Sequence, residues 1–279
     1  MHHLTVFLIL LVLMKPSLVH SLSLDDRLDK VLEVYNVHPV NCKDSLQTFD
    51  KNLFEAGKAL FNTKQLSGDH DTSCSTCHIT EHHLTDGLPV SIGVSGSGES
   101  LERLASEGTI VPRNSFSLVG RASTSYKSYF WDGKIEEGLD ADIISPFGSA
   151  LDPKFQSLFA VASIMPLLAR DEFLGKLKFM DENYHIQSIN DEYYQDRYLA
   201  ASDLIRDSIF ESKDSELKDS ELKDIKLLLN NQGINKDNFS LADVGNAIAS
   251  FISLEFNCKP SRWEKYLTGD KASLSETEK

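Results

Sequence analysis

Cys74-Ser75-Thr76-Cys77-His78 constrains this chain of 279 residues more than any other stretch. On a helical turn, residues i, i+3 and i+4 share one face, so both sulfurs and the imidazole point the same way. Thiols at this spacing can each form a thioether to a haem vinyl group, and the adjoining histidine can then reach the iron as an axial ligand. One covalently attached haem c is therefore the expected cofactor, with Cys74 and Cys77 as its anchors and His78 as the proximal ligand. Other uses of the pattern fit less well. A redox dithiol needs no histidine there and usually follows a strand in a βαβ unit, and no such unit is found. Zinc needs two more ligands, and although His70, His82 and His83 lie nearby, there is no second cysteine pair. A disulfide within the motif would leave His78 without a role.

The ends and the charge narrow the setting. Leu4 to Met14 is an apolar run too short to span a bilayer. Val19-His20-Ser21 follows, with small residues where a signal peptidase reads, so residues 1–21 are expected to be a cleaved signal peptide. The run has only His2 and His3 before it instead of Lys or Arg, and a buried N-terminal helix is the competing reading. Export suits covalent haem attachment, and the mature chain is expected to be periplasmic with no membrane span. A net charge of −14 argues against nucleic acid as a partner. It suits docking to a basic surface such as a small cationic cytochrome. Cys42 and Cys258 are left over; in an oxidising compartment they could pair, or either could stay a buried thiol.

Helical periodicity dominates the rest. Leu24, Leu28, Val31, Leu32 and Tyr35 form one apolar stripe, and Leu53, Gly57, Leu60 and Phe61 suggest a second helix leading toward the haem motif. Residues 67–98 are rich in Gly, Ser, Asp and His and read as loops around a short haem-bearing helix. Asp152-Pro153 reads as a helix start, with Phe155, Leu158, Phe159 and Ala162 inward until Pro166. Ser240-Leu241-Ala242-Asp243 opens another helix, with Val244, Ile248, Phe251 and Ile252 inward. No series of alternating strands is found, so the fold class is all-α. Lys213-Asp214-Ser215-Glu216-Leu217 repeats at once as Lys218-Asp219-Ser220-Glu221-Leu222, a period that fits neither helix nor solenoid and reads as a duplication on a solvated surface.

Beyond the haem motif, an ordered set of segments resembles the bacterial di-haem cytochrome c peroxidase family, MauG-like members included. The set runs from Gly57-Lys58-Ala59-Leu60-Phe61 and Leu66-Ser67-Gly68-Asp69 through Thr85-Asp86-Gly87. It continues through Arg113-Asn114-Ser115-Phe116-Ser117-Leu118, Phe130-Trp131-Asp132-Gly133-Lys134, Met165-Pro166 and Arg170-Asp171-Glu172-Phe173. It ends at Ala242-Asp243-Val244-Gly245-Asn246-Ala247 and Tyr266-Leu267-Thr268-Gly269-Asp270. The resemblance implies a cytochrome c-like haem domain with long loops over residues 22–189, where peroxide is cleaved. Residues 190–279 would be the incomplete start of a second cytochrome c-like domain. It also implies reduction of hydrogen peroxide with electrons from a small cytochrome c or a copper protein. In that reading His78 is the proximal ligand, Trp131 an electron relay between haems, and Glu172 the distal acid–base group. Asn114 would be one contributor to an interdomain calcium. The family commonly forms homodimers, but no interface signature is read here.

Three departures qualify the match. Ala162 stands where a glutamine usually precedes the proline by four residues. Val94 stands sixteen residues after His78, where some relatives carry a releasable histidine. That leaves the sixth iron position open unless Met165 or His185 closes it. The second haem motif is absent, so the chain is expected to be the peroxidatic half of a longer product, and the helices from about residue 190 would then lack their packing partner. Two alternative functions stay open: a MauG-like oxidase acting on a partner protein, and a mono-haem electron-transfer protein without turnover.

Overall fold

The computed structural model describes residues 22–40, 46–175, 194–211, 219–257 and 259–279. The signal peptide, Cys42, Cys258, His185, the boundary between residues 189 and 190 and the first copy of the five-residue repeat all lie outside them. The described residues are largely helical, with short strands in two small antiparallel sheets. In the first sheet β1 (Ser91–Ile92) pairs with β2 (Ile110–Val111). In the second, β4 (Ile135–Glu137) lies between β3 (Ser128–Tyr129) and β5 (Ile143–Ile144). Strands this short carry no legible alternation.

The chain divides into two compact units. The smaller joins residues 22–40 to residues 260–279. Its helix α1 (Leu24–Val34) starts from a capping box between Ser23 and Asp26. The expected helix is present, but its stripe is not buried: Leu24, Leu28 and Leu32 are half-covered while Val31 and Tyr35 are 50% and 75% exposed. Polar contacts to the C-terminal segment hold it: the Tyr266 hydroxyl donates to Asp25 at 2.8 Å, and the Lys271 ammonium meets Asp29.

The larger unit spans residues 46–257 of the description and Lys259. Its helices are α2 (Phe54–Asn62), α3 (Cys74–Cys77), α4 (Ser100–Leu104), α5 (Leu158–Ile164), α6 (Tyr194–Glu211), α7 (Asp219–Asn230) and α8 (Leu241–Glu255). The helix expected after Ser240 is α8, opened by a capping box with Asp243. It is buried all round from Leu241 to Ser253, as a helix at the centre of a core must be. It packs on α2 and α5, and α7 closes on α2. Helices α6, α7 and α8, all beyond residue 190, therefore contribute to the core against which the haem motif packs. In α7 the second repeat copy turns one residue inward: Leu222 is buried beside Ile225 and Leu229, while Ser220 and Glu221 face solvent.

Two glycines set the helix spacing. A Cβ on Gly57 of α2 would lie 1.8 Å from the Ala247 carbonyl oxygen of α8. One on Gly245 would lie 2.6 Å from the Ala160 oxygen of α5.

The start expected at Asp152 is displaced to Leu158, behind the cap Ser157, whose hydroxyl accepts from the Ala160 N–H. Asp152 instead closes a turn, accepting from the Lys154 N–H at 2.9 Å. Asn246 of α8 then takes the neighbouring backbone, accepting from the Gln156 N–H at 3.0 Å and donating to the Lys154 oxygen at 2.8 Å. A tertiary clamp thus outbids the local helix signal. Asn246→Ala leaves both groups without their partner and is expected to cost about 1–3 kcal/mol in a urea titration. An unchanged midpoint would mean that the clamp does not hold the segment.

Candidate functional site

The motif's short helix α3 is built locally. Thr76 Oγ1 accepts from the Ser73 N–H at 3.0 Å, and the His78 N–H donates to the Cys74 oxygen at 3.0 Å. Cys74 and Cys77 are both free thiols. Burial pushes the Cys74 thiol up to about 12, with the neighbouring sulfur adding to it. Burial likewise pushes Cys77 up to about 11, partly opposed by Arg103 and reinforced by Asp86 and Glu172. A lowered value favours redox-active dithiols, and burial here acts in the opposite direction.

The chain after His78 turns back tightly. Two hydrogen bonds close the turn, Ile79 N–H to Thr85 O and Leu84 N–H to Ile79 O. His83 and Leu84 both take left-handed backbone, at φ 55° and 61°. That conformation is costly for a leucine. Here it turns the Leu84 carbonyl onto His78 Nδ1 at 2.8 Å. A carbonyl only accepts, so Nδ1 carries the proton, and Nε2 is the nitrogen suited to a metal. Burial holds the imidazole below its ordinary pKa, against the backbone carbonyls of Leu84 and Phe116 and the Asp86 charge. The neutral ring is the form that coordinates iron.

Segments distant in sequence converge here. Asp86 is buried, accepting from the Leu88 N–H at 3.0 Å and the Ser91 hydroxyl at 2.5 Å. Ser115 receives the Asp86 N–H at 3.0 Å and donates its hydroxyl to the Cys77 oxygen at 2.8 Å. The Thr85-Asp86-Gly87 and Arg113–Leu118 segments thus meet on the haem motif. Phe61 of α2 lies 6.4 Å from the His78 ring between centroids, backed by Phe251 of α8 at 5.2 Å.

Glu172 lies close enough for its charge to act on Cys77. It sits in a π-helical turn, Arg170–Leu174, a geometry frequent at functional sites. The Val94 N–H donates to the Asp171 oxygen and the Gly68 N–H to the Phe173 oxygen, each at 3.0 Å. The turn therefore hangs from the loop that precedes α3 and from the loop that follows β1. Burial holds the Glu172 carboxyl above its ordinary pKa, against the nearby Lys134 and Arg113 charges. A carboxyl whose folded pKa is raised gives stability below the unfolded value, and this is lost as pH rises through the folded value. Glu172→Gln cannot ionise, so at pH 7 it is expected to melt above the wild type. The difference should vanish below about pH 4, where the carboxyl is protonated in both states. Equal melting points at pH 7 would show that the carboxylate is not penalised.

The other expected residues lie farther out. Trp131 is 75% exposed, with the Arg113 guanidinium 5.5 Å from its ring. Its neighbour Phe130 touches Phe116 at 6.4 Å, and Phe116 touches His78 at 6.2 Å, all between centroids. Asn114 donates its amide to the Leu88 oxygen at 3.0 Å. Among the described residues no group of three or more His, Cys, Asp or Glu is placed to hold a metal ion. His70 bonds Gln65 O and His82 bonds Ser100, so neither joins the cysteines. Ala162, Val94 and Met165 are all buried.

Three features of the site carry no sequence signal of their own. These are the Leu84 carbonyl, the Ser91 bridge and a buried arginine, Arg103, which lies in the polar segment Ser100–Leu104 and looks like a surface residue.

A family model described as di-haem cytochrome c peroxidase matches residues 51–272. The chain belongs to the di-haem cytochrome c peroxidase family. Membership implies haem c binding and redox chemistry of the peroxidase type. Cytochrome-c peroxidase IdrP2 of Denitromonas iodatirespirans is 30% identical over 86 residues, which are 30% of this chain and 19% of that protein. The crystal structure of a MauG-like protein associated with microbial copper homeostasis is similar at 20% identity and a TM-score of 0.48. That match covers 86% of this chain and 49% of the other. The chain thus spans less than half the length of either relative. Among the described residues no helix is long and apolar enough to cross a membrane.

Proposed function

We propose that this chain carries one haem c on Cys74 and Cys77, with His78 Nε2 on the iron, and reduces hydrogen peroxide. The observation that carries this is the His78 arrangement: an imidazole buried on the thiol-bearing turn, its Nδ1 proton fixed on Leu84 O. The bound haem would supply the redox-active iron at which the O–O bond is reduced. Glu172 would take a proton from one peroxide oxygen and return it to the departing one. A carboxyl with a raised pKa is suited to both halves of that task. Each peroxide consumes two electrons and two protons and yields two waters. The electrons would come from a small cytochrome c or copper protein docking on the exported, periplasmic chain. The exposed Trp131 and the Phe130–Phe116 contacts offer a route inward to His78.

Trp131 also supports a second reading, oxidation of a partner protein in the MauG manner, because an indole open to solvent can meet another protein's side chain directly. A mono-haem carrier without turnover is the third. Stopped-flow mixing of the haem-loaded chain with peroxide and a reduced donor cytochrome separates them. Peroxide reduction predicts donor oxidation at two equivalents per peroxide. Peroxide consumption that leaves the donor cytochrome reduced and oxidises side chains of another protein would favour the second reading. An iron inert to peroxide would favour the third and overturn the proposal.

A further inference from the structure

We propose that Arg103 is a positioning residue for Glu172: its guanidinium fixes the 92–98 loop against the flank of the haem motif, and that loop holds the turn carrying Glu172. The inference rests on the acid–base role given to Glu172 above.

Arg103 is only 1% exposed. Nε donates to Ile92 O at 2.8 Å, Nη1 to Gly96 O at 3.1 Å and Gly98 O at 3.4 Å, and Nη2 to Gly93 O at 2.6 Å and Thr72 Oγ1 at 3.0 Å. A guanidinium has five N–H groups in a rigid planar fork, and each has an oxygen here. All five acceptors are neutral. Burying a charge this way is expensive, so the return is geometric: one side chain sets the path of a loop that has no regular structure beyond β1.

The loop transmits that geometry. Its Gly93 N–H donates to Thr109 O at 2.8 Å, and its Val94 N–H donates to Asp171 O at 3.0 Å. A Cβ on Gly93 would lie 1.8 Å from the same Asp171 oxygen, so the two backbones are in direct contact. Glu172 is the next residue. The second anchor of the turn, Gly68 N–H to Phe173 O, belongs to a loop in which Ser67 Oγ accepts from the Thr72 N–H at 3.2 Å. Thr72 in turn receives Arg103 Nη2. The one guanidinium therefore grips both supports of the Glu172 turn and the residue two places before Cys74. It touches no reacting atom in this account, so its action is indirect. Lysine would keep the charge but cannot reach oxygens lying in a plane on several sides of the fork.

The test is a double-mutant cycle in the haem-loaded full chain, using Arg103→Lys and Glu172→Gln. In the wild-type background Arg103→Lys is expected to slow peroxide consumption at least about tenfold and to change the acid limb of its pH profile. In the Glu172→Gln background it should cost nothing further. Amide hydrogen exchange gives a readout independent of activity: Val94 and Gly68 should exchange at least about tenfold faster, with His78 unchanged. Equal losses in both backgrounds, or unchanged exchange at Val94, would overturn the proposal. If Arg103→Lys does not fold, Thr72→Val takes its place in the cycle, because it removes the hydroxyl that receives Nη2 on the residue two places before Cys74. A full rate with the wild-type pH profile would then overturn it. Should Glu172→Gln itself consume peroxide at the wild-type rate, the acid–base reading fails, and exchange at Val94 still judges the clamp.

Discussion

Glu172→Gln is expected to slow peroxide consumption by about 10²- to 10⁴-fold, the usual contribution of a positioned acid–base group. Haem attachment should be unaffected, because Glu172 reaches the motif from a separate turn. The pH profile should change with it. The ionised carboxylate is the form that accepts the peroxide proton, so the wild-type rate falls as pH drops through the folded pKa. Burial raises that pKa, so the fall should begin above the ordinary carboxylate range of about 4.3. The glutamine variant should lack it. Steady-state rates across pH in both proteins check this, and a profile identical in the two would remove Glu172 from the chemistry.

Gly57→Ala is expected to be the most damaging small substitution in the core. The new methyl would stand 1.8 Å from the Ala247 oxygen and 2.5 Å from its carbonyl carbon. Both are helix backbone and cannot swing aside as a flexible side chain would. α2 and α8 would have to separate, and overpacking of this kind costs about 1–3 kcal/mol or more. The effect would also reach the site, because Phe61 on α2 and Phe251 on α8 form the wall behind His78. A fall in the urea midpoint with a shifted haem absorbance band is the expected result. A midpoint matching the wild type would mean that the helices do not touch at Gly57.

What the sequence disclosed and what it concealed divide along physical lines. The short helix Cys74–Cys77 was legible because the expected thioether spacing itself calls for one helical turn. α2 and α8 were legible because a sustained 3.6-residue pattern and the Ser240–Asp243 capping box are local signals. The start of α5 was misread at Asp152 because Asn246, far along the chain, claims the Lys154 and Gln156 backbone. The stripe of α1 was present, but polar contacts from Asp25 and Asp29 to Tyr266 and Lys271 hold the helix while much of the apolar face stays open. Arg103 was concealed for the same reason as Asn246: its five acceptors are set by the path of a loop, and loops leave no periodic trace. Leu84 gave no warning of its left-handed backbone, since leucine is a residue that avoids it.

The most direct test is the mass of the intact protein purified from a host competent to attach haem c. Cys74 and Cys77 forming thioethers predicts a coloured chain heavier by one haem, the added mass surviving denaturation and lost when both cysteines are replaced by serine. A colourless protein with the mass of its amino acids alone would contradict the account.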